Sequence, residues 1–264
     1  MKIGFIGAGN MASAIIGGML NSGQFCAGEI YVSDINNEAC EKMAVMGVNI
    51  AKSNAVLVQS VDCVVLAIKP IYADSVVSEV YNVLHNKFVV SIIGSWTHEM
   101  IGRAIPENAR FVRVMPNTPL AVGEGMSLIG QTYTCTQEEL EYVKSVFSAA
   151  GKVCMIDDHA FTAASGISGC GPAFVYQFIE AIADGGVRYG VPRAVAYELA
   201  AQTLIGAAKM VLETKMHPGA LKDAVCSPGG TTIEGIYALE KGGMRAAVID
   251  AVSATVEKTS CLSK

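Results

Sequence analysis

The spacing of apolar residues divides the chain into two parts of different character. In the first part, short apolar runs alternate with stretches in which apolar residues recur every three or four positions, which predicts strands alternating with helices. The predicted strands are 2–6, 30–33, 61–68, 88–93 and 111–115, and the predicted helices are 10–20, 36–46 and 73–84. This alternation predicts an α/β fold with a doubly wound, mostly parallel sheet.

Further elements complete the first part. Residues 126–129 and 153–156 are candidates for additional strands at the edge of the sheet. Between them, Thr136 and Glu139 have the spacing of a capping box, which predicts a helix that begins there and runs through Phe147.

From His159 onward the apolar residues have helical spacing and no run predicts a strand. We therefore expect two domains, an α/β domain over 1–157 and an all-helical domain over 158–264. Many of the later helices are apolar on more than one face, which is more than a segment of about a hundred residues can bury in one core. The sequence predicts that the helical domain forms a dimer interface.

Composition strengthens the expectation of an oligomer. Hydrophobic residues are 52% of the 264 and charged residues 16%, against about 25% charged in an average protein. The mean hydropathy is +0.41. The most apolar runs have strand length, whereas a membrane span needs roughly 20 apolar residues. A predicted strand starting at residue 2 leaves no room for a signal peptide. We expect a soluble, cytoplasmic oligomer.

Charge and cysteine spacing argue against other classes of site. The net charge is −5 and no run of Lys or Arg is present, which argues against nucleic acid as a partner. The eight cysteines and four histidines contain no C-x-x-C pair and no metal-ligand spacing. We expect reduced thiols and no metal site.

A glycine-rich turn, Gly7 to Ala12, follows the first predicted strand and opens the first predicted helix. In that context it matches the G-x-G-x-x-A fingerprint of dinucleotide-binding folds. Gly7 permits the tight turn, Gly9 lets a pyrophosphate approach the backbone, and Ala12 lets helix and strand pack closely. The phosphates would lie at the helix N-terminus. The alternative is a glycine-rich turn without a ligand.

The choice of cofactor depends on Ser33 and Asp34, at the end of the second predicted strand. An acidic residue there usually bonds the ribose 2′-hydroxyl and repels a 2′-phosphate, and no Arg follows to receive one. Asp34 therefore favours NADH over NADPH. In the alternative interpretation, Asp34 only caps the next helix, a role that Asn36 can fill equally well.

Four more motifs carry candidate chemistry, each with a purely structural alternative such as a turn or a capped helix start. The segments 67–70 (Ala-Ile-Lys-Pro) and 114–119 (Val-Met-Pro-Asn-Thr-Pro) follow strands, whose carboxyl ends line the ligand crevice of such sheets. The segment 168–172 is Ser-Gly-Cys-Gly-Pro. The segment 227–232, Ser-Pro-Gly-Gly-Thr-Thr, precedes a helix and can hold a carboxylate on free backbone N–H groups.

Together these motifs resemble those of the pyrroline-5-carboxylate reductase family over nearly the whole chain, most specifically from His217 to Ile233. The resemblance implies a Rossmann domain followed by an all-α dimerisation domain, with dimers that assemble further into decamers. It implies transfer of hydride from NADPH or NADH to the C=N carbon of 1-pyrroline-5-carboxylate, which gives L-proline in the final step of proline biosynthesis.

The resemblance also implies roles for individual residues. It places the substrate carboxylate on the turn formed by Ser227, Pro228, Gly229, Gly230, Thr231 and Thr232, with the catalytic Thr232 hydroxyl near the ring nitrogen. The implied cofactor contacts are Gly7, Ala8, Gly9, Asn10, Met11, Ser33, Asp34, Asn54, Ala67, Ile68, Lys69, Pro70, Ile93, Gly94, Met115, Pro116 and Asn117.

Two departures from the family pattern stand out. Trp96 lies in a segment where the family is rich in small residues, so its ring either alters cofactor affinity or covers the sheet. Cys170 replaces a serine, and its thiol is a weaker hydrogen-bond donor than a hydroxyl.

Two alternative functions fit parts of the same pattern. One is a related reductase of another cyclic imine or a 3-hydroxy acid. The hydroxy-acid enzymes usually carry a catalytic Lys on the long helix between the domains, and residues 161–184 contain none. The other is a non-catalytic nucleotide-binding protein, which predicts a damaged carboxylate turn, yet residues 227–232 are intact.

Overall fold

A computed structural model describes residues 1–262 of the chain. Over these residues the strands are β1 (Ile3–Ile6), β2 (Ile30–Ser33), β3 (Asn49–Ile50), β4 (Cys63–Leu66), β5 (Phe88–Ser91), β6 (Arg110–Met115), β7 (Gly125–Gly130) and β8 (Gly151–Ile156). The helices are α1 (Asn10–Asn21), α2 (Asn37–Val45), α3 (Asn54–Ser60), α4 (Pro70–Val80), α5 (His98–Ala104), α6 (Gln137–Ser148), α7 (Asp158–Ser168), α8 (Gly171–Arg188), α9 (Arg193–Thr214), α10 (Pro218–Val225), α11 (Thr231–Lys241) and α12 (Met244–Leu262).

The strands form one sheet in the order β3-β2-β1-β4-β5-β6-β7-β8, in which the β6–β7 pair is antiparallel and the other neighbours are parallel. This confirms the predicted doubly wound, mostly parallel sheet. One detail of the prediction was wrong. Residues 126–129 belong to β7, which lies between β6 and β8 and is not an edge strand. The short connection from β6 to β7 explains the antiparallel pairing, because parallel neighbours need a longer crossover.

Helix boundaries follow local chemistry. The capping box is confirmed, since the Thr136 side chain accepts from the Glu139 N–H and the Glu139 side chain accepts from the Thr136 N–H. The helix predicted over 73–84 begins earlier, because Pro70 occupies its first position, where a proline N–H is not needed. Helices α3 and α5 span only seven residues each, too short for a clear periodic pattern.

Two apolar clusters cover the two faces of the sheet. One includes side chains of α1 and α6, and the other includes side chains of α3, α4 and α5. The single tryptophan, Trp96, is 3% exposed within the second cluster. Its ring therefore covers the sheet, which is one of the two predicted alternatives.

The described residues divide into two compact units, Met1–Cys170 together with 255–262, and Gly171–Ala254. Helix α7 packs against β7 and β8 within the first unit. The domain boundary at residue 157 stays a prediction.

In the second unit α8 packs on α9. Helices α10, α11 and α12 have no buried residue among those that the structure describes. Large apolar side chains are exposed here, for example Leu199, Tyr237 and Ile249. In the described part of the chain, α9 is the one helix long and apolar enough to cross a membrane, a test that core helices of other proteins also pass.

An ion pair ties α6 to β6. Arg110 donates to both carboxylate oxygens of Glu139 at 2.8 to 3.0 Å. Burial acts to raise the pKa of Glu139, but hydrogen bonds from Arg110 and Thr136 outweigh it and hold that pKa below its usual value. The pair therefore stabilises the fold above the unfolded pKa of about 4.3, and this stability is lost as the pH falls through the lower folded pKa.

We expect Glu139→Gln to lower the free energy of unfolding by about 2 kcal/mol at pH 7, since a buried charged hydrogen-bond network is broken. Urea unfolding from pH 3 to 8 measures this, and the difference from the wild type should shrink below about pH 4. Glu141→Gln is the control, because its pair with Lys144 is exposed and should be worth under about 1 kcal/mol. A difference for Glu139→Gln that does not change with pH would contradict the assignment.

Candidate active site

The glycine-rich turn between β1 and α1 needs glycine at its first position. Gly7 has φ +106°, a backbone conformation that residues other than glycine rarely adopt. A Cβ atom there would also collide with the carbonyl of Ala67, at the end of β4. The Gly7 N–H donates to the Ser33 carbonyl at 2.8 Å. The carboxyl ends of β1, β2 and β4 therefore meet at this turn.

Gly9 shows that the turn has room for a phosphate group. A Cβ atom built on Gly9 meets nothing within 4 Å, so its backbone faces open space. Gly9 is also the N-cap of α1 and has no side chain to occupy the first N–H groups of the helix. Ala12 is fully buried, as expected for close packing of helix on sheet. The turn therefore fits the pyrophosphate of a dinucleotide.

The Asp34 carboxylate faces the glycine-rich turn. One of its oxygens, Oδ2, accepts the Ala8 N–H at 2.7 Å, and Oδ1 accepts the Asn36 N–H at 2.8 Å. Helix α2 is capped by Asn36, whose side chain accepts from the Ala39 N–H. The alternative in which Asp34 caps this helix is therefore wrong, because Asn36 is the cap and the Asp34 carboxylate is held between the Ala8 and Asn36 N–H groups. Its role in binding the ribose stays a prediction.

A chain of side-chain hydrogen bonds continues from the end of β2. The Ser33 hydroxyl donates to Asn54 Oδ1 at 2.7 Å, and Asn54 Nδ2 donates to Glu79 Oε2 at 3.0 Å. The structure thus brings the predicted residues Ser33 and Asn54 together. Glu79 was not predicted, because it lies 25 positions from Asn54 and belongs to no recognised motif.

The segment after β4 leads directly into α4. The Ala67 N–H donates to the Ile6 carbonyl at 2.9 Å, which holds this segment beside β1. Ile68 is half-buried, and Lys69 is the exposed N-cap residue of α4, followed by Pro70. No side chain caps α4. The segment lies beside the glycine-rich turn, as predicted for the crevice.

Met115 joins three of the predicted segments. Its terminal methyl group lies 3.6 Å from the position that a Cβ atom on Gly94 would take, and 3.0 Å from the corresponding position on Gly169. Ile93, beside Gly94, is buried. The loop that follows β5 and the last residue of β6 therefore meet the end of α7. Cys170 is half-buried at that junction.

Arg113, two residues before Met115 in β6, carries a buried positive charge. Its guanidinium lies 3.9 Å from the ring centroid of Phe161 in α7. Burial lowers the pKa of Arg113 to about 10, and the nearby Asp158 carboxylate partly opposes this effect. The contact joins α7 to β6, the strand that ends at Met115, two residues before Asn117.

A groove of about 900 Å³ runs between α1 and the segment 118–123. Asn10 and Met11, from the glycine-rich turn, line it together with Thr118, the residue after Asn117. Two of the predicted motifs therefore share one cavity. The other predicted cofactor residues also belong to the first unit, where they lie near the carboxyl ends of the parallel strands.

The predicted carboxylate turn, 227–232, belongs to the second unit. Gly229 has φ +65°, and the Gly230 N–H donates to the Ser227 carbonyl at 3.0 Å, which closes a tight turn. Gly230 is the N-cap of α11 and provides no side-chain cap. Thr231 and Thr232 are exposed in the first helical turn. The N-terminus of α11 is therefore open to an anion.

Two family models match the chain. One, described as pyrroline-5-carboxylate reductase dimerisation, matches residues 158–262. The other, described as NADP oxidoreductase, coenzyme F420-dependent, matches residues 2–94.

Full-length relatives are also similar to the chain. The pyrroline-5-carboxylate reductase of Escherichia coli (strain K12) is 44% identical over 268 residues, which cover 100% of this chain and 98% of the relative. That of Methanosarcina acetivorans is 43% identical over 265 residues, with 100% and 98% covered. The crystal structure of Plasmodium falciparum pyrroline carboxylate reductase with NADP bound has a TM-score of 0.91 and 33% identity, and covers 100% of this chain and 98% of that one.

Proposed function

The chain belongs to the pyrroline-5-carboxylate reductase family, and we propose that it reduces 1-pyrroline-5-carboxylate to L-proline with NADPH or NADH. The first unit holds the cofactor and the turn 227–232 holds the substrate carboxylate. The observation that carries the substrate assignment is the intact, uncapped N-terminus of α11 at Gly230.

Residues of the first unit bind and orient the cofactor, which when bound supplies the hydride. The free N–H groups at the start of α1 receive the pyrophosphate, and the open space at Gly9 admits it. The Asp34 carboxylate, already fixed by the Ala8 N–H, accepts from the ribose hydroxyl. Two segments, one containing Gly94 and the other Met115 to Asn117, line the cofactor site next to the nicotinamide ring.

The substrate site needs to position the imine more than to protonate it. A cyclic imine is readily protonated, and the resulting iminium accepts hydride well, so orientation supplies much of the rate. The N–H groups at the start of α11 hold the carboxylate without a basic side chain. The Thr232 hydroxyl is the hydrogen-bond partner of the ring nitrogen and so orients the C=N carbon.

We propose a preference for NADH. The Asp34 carboxylate lies just after the end of β2. A second carboxylate, that of Glu79, accepts a hydrogen bond from Asn54, which is itself bonded to Ser33 at the end of β2. A 2′-phosphate would be repelled by both carboxylates.

The second unit supports self-association. The match to the dimerisation model covers its helices, and large apolar side chains such as Leu199 and Ile249 are exposed on them. We propose that a second copy covers this surface, including α9, and that dimers assemble further into decamers. We also propose that the enzyme is cytoplasmic and binds neither a membrane nor nucleic acid. The boundary between its two domains would lie at residue 157.

The test of the function is oxidation of NADH and of NADPH, measured side by side with pyrroline-5-carboxylate as acceptor. We expect activity with both and a higher kcat/KM with NADH. Asp34→Ser should shift the ratio of the two kcat/KM values toward NADPH by about tenfold, because about 1.4 kcal/mol of repulsion is removed.

The matched control for this substitution is Asp74→Ser, which removes an exposed carboxylate from α4. An unchanged ratio in Asp34→Ser would show that Asp34 does not select the cofactor. A folded oligomer that binds nucleotide but reduces no imine would overturn the proposed function itself.

A further inference from the structure

Asn117 stands where a helix cap is expected but does not act as one. It is the N-cap residue of the short 3-10 helix Thr118–Val122, and its side chain makes no capping hydrogen bond there. Instead Oδ1 accepts the Met126 N–H at 2.8 Å, and Nδ2 donates to the Ser168 carbonyl at 2.9 Å. The residue is 8% exposed, so both hydrogen bonds are shielded from water.

The first of these bonds extends the sheet by one step. The antiparallel β6–β7 pairing joins Val114 to Ile129 and Met115 to Leu128. Asn117 lies two residues after Met115, and Met126 lies two residues before Leu128. The Asn117 carboxamide therefore takes the next place in the ladder, at the point where the backbone turns away into the loop.

The second bond fixes the same loop to the end of α7. Ser168 is the last residue of α7, and Gly169 follows it against the Met115 methyl group. A Cβ atom on Gly169 would come within 3.0 Å of that methyl group and 2.8 Å of the Ser165 carbonyl. The loop after β6 and the Ser-Gly-Cys-Gly-Pro segment are thus held by a hydrogen bond and by a close contact that only glycine permits.

From this geometry we infer that Asn117 is a positioning residue for hydride transfer: its carboxamide locks the loop 115–117 to β7 and to the end of α7, and it acts through the loop rather than by contacting the cofactor. The inference rests on the proposed function, in which this loop lines the nicotinamide side of the cofactor site. By fixing the position of this loop, Asn117 determines how well the hydride donor is aligned with the imine.

The test is Asn117→Asp in the full-length enzyme. The introduced carboxylate still accepts the Met126 N–H, but it has no hydrogen to donate to the Ser168 carbonyl and repels it. We expect kcat with pyrroline-5-carboxylate, normalised to folded enzyme, to fall at least tenfold at pH 8, with a change in the KM for NADH of less than threefold. The control is Asn82→Asp, at an exposed position remote from the motifs, which should leave both constants unchanged.

The pH dependence separates positioning from simple stabilisation. As the pH falls, the introduced carboxyl is protonated and regains a donor for the Ser168 carbonyl. The kcat of the variant relative to that of the wild type should therefore rise toward acid pH. A folded Asn117→Asp enzyme with the kcat of the wild type at every pH would overturn the inference.

If Asn117→Asp does not fold, a second variant tests the same contact between the loop and the end of α7. Gly169→Ala pushes on the Met115 methyl group from the side of α7 and also crowds the Ser165 carbonyl, so its kcat is again normalised to folded enzyme. We expect it to lower kcat at least fivefold, and an unchanged kcat in the folded variant would overturn the inference. A wild-type enzyme that does not reduce pyrroline-5-carboxylate would instead be a failure of the proposed function.

Discussion

Replacing Gly7 with alanine is expected to lower the free energy of unfolding by roughly 2–4 kcal/mol and to abolish binding of NADH and NADPH. Two costs add at this position. Alanine is strained at φ +106°, and its methyl group would collide with the Ala67 carbonyl, which is itself held by β1. Urea unfolding measures the first effect and cofactor fluorescence the second.

Gly9→Ala is the informative partner of that substitution. Gly9 has φ −71°, which alanine adopts freely, and its Cβ atom would enter open space. We expect unchanged stability, yet about 100-fold weaker cofactor binding, because the methyl group would occupy the place of the pyrophosphate. Gly28→Ala, which also meets nothing within 4 Å, is the control and should change neither quantity.

The two glycines thus separate a role in the fold from a role in binding. Equal cofactor affinity in Gly9→Ala and in the wild type would show that the phosphates do not lie over this turn. Unchanged stability in Gly7→Ala would show that the turn relaxes without strain.

Features that depend on neighbouring residues were predictable from the sequence. The strand runs, the capping box at Thr136 and the turn at Gly7 are all determined within about ten positions of the chain. The same is true of the turn at residues 227–230, whose uncapped helix start follows from Gly230 preceding α11. Its role in holding a carboxylate stays a prediction. The apolar surplus of the second domain was also visible, because helices apolar on several faces cannot all be buried in one small core.

Features that depend on distant residues were not predictable. Asn117 reaches Ser168 across 51 positions, and Asn54 reaches Glu79 across 25. The resemblance to the family marked Asn117 and Asn54 as candidates but could not show which atoms their carboxamides contact. The antiparallel placement of β7 was hidden for the same reason, since periodicity predicts a strand but not its neighbours. The contact of Arg113 with Phe161 likewise required the fold to bring β6 and α7 together.

We expect Thr232→Ala to lower kcat/KM for pyrroline-5-carboxylate by about 100-fold, the size of effect seen when one oriented donor is lost from an active site. The dissociation constant of NADH should change less than twofold, because the proposed cofactor residues lie in the first unit. Stability should be preserved, since Gly230 and not Thr232 is the cap residue of α11. Steady-state kinetics and cofactor fluorescence measure the two effects separately.

Thr232→Ser is the matched control for that substitution, because it keeps the hydroxyl and removes only a methyl group. It should retain most of the activity, which would assign the loss in Thr232→Ala to the hydrogen bond and not to packing at the start of α11. Equal losses of kcat/KM in both variants would assign the effect to the methyl group. Equal losses of imine turnover and of NADH affinity in Thr232→Ala would show that the substrate does not bind at this turn, because a group that contacts only the imine cannot weaken the binding of free cofactor.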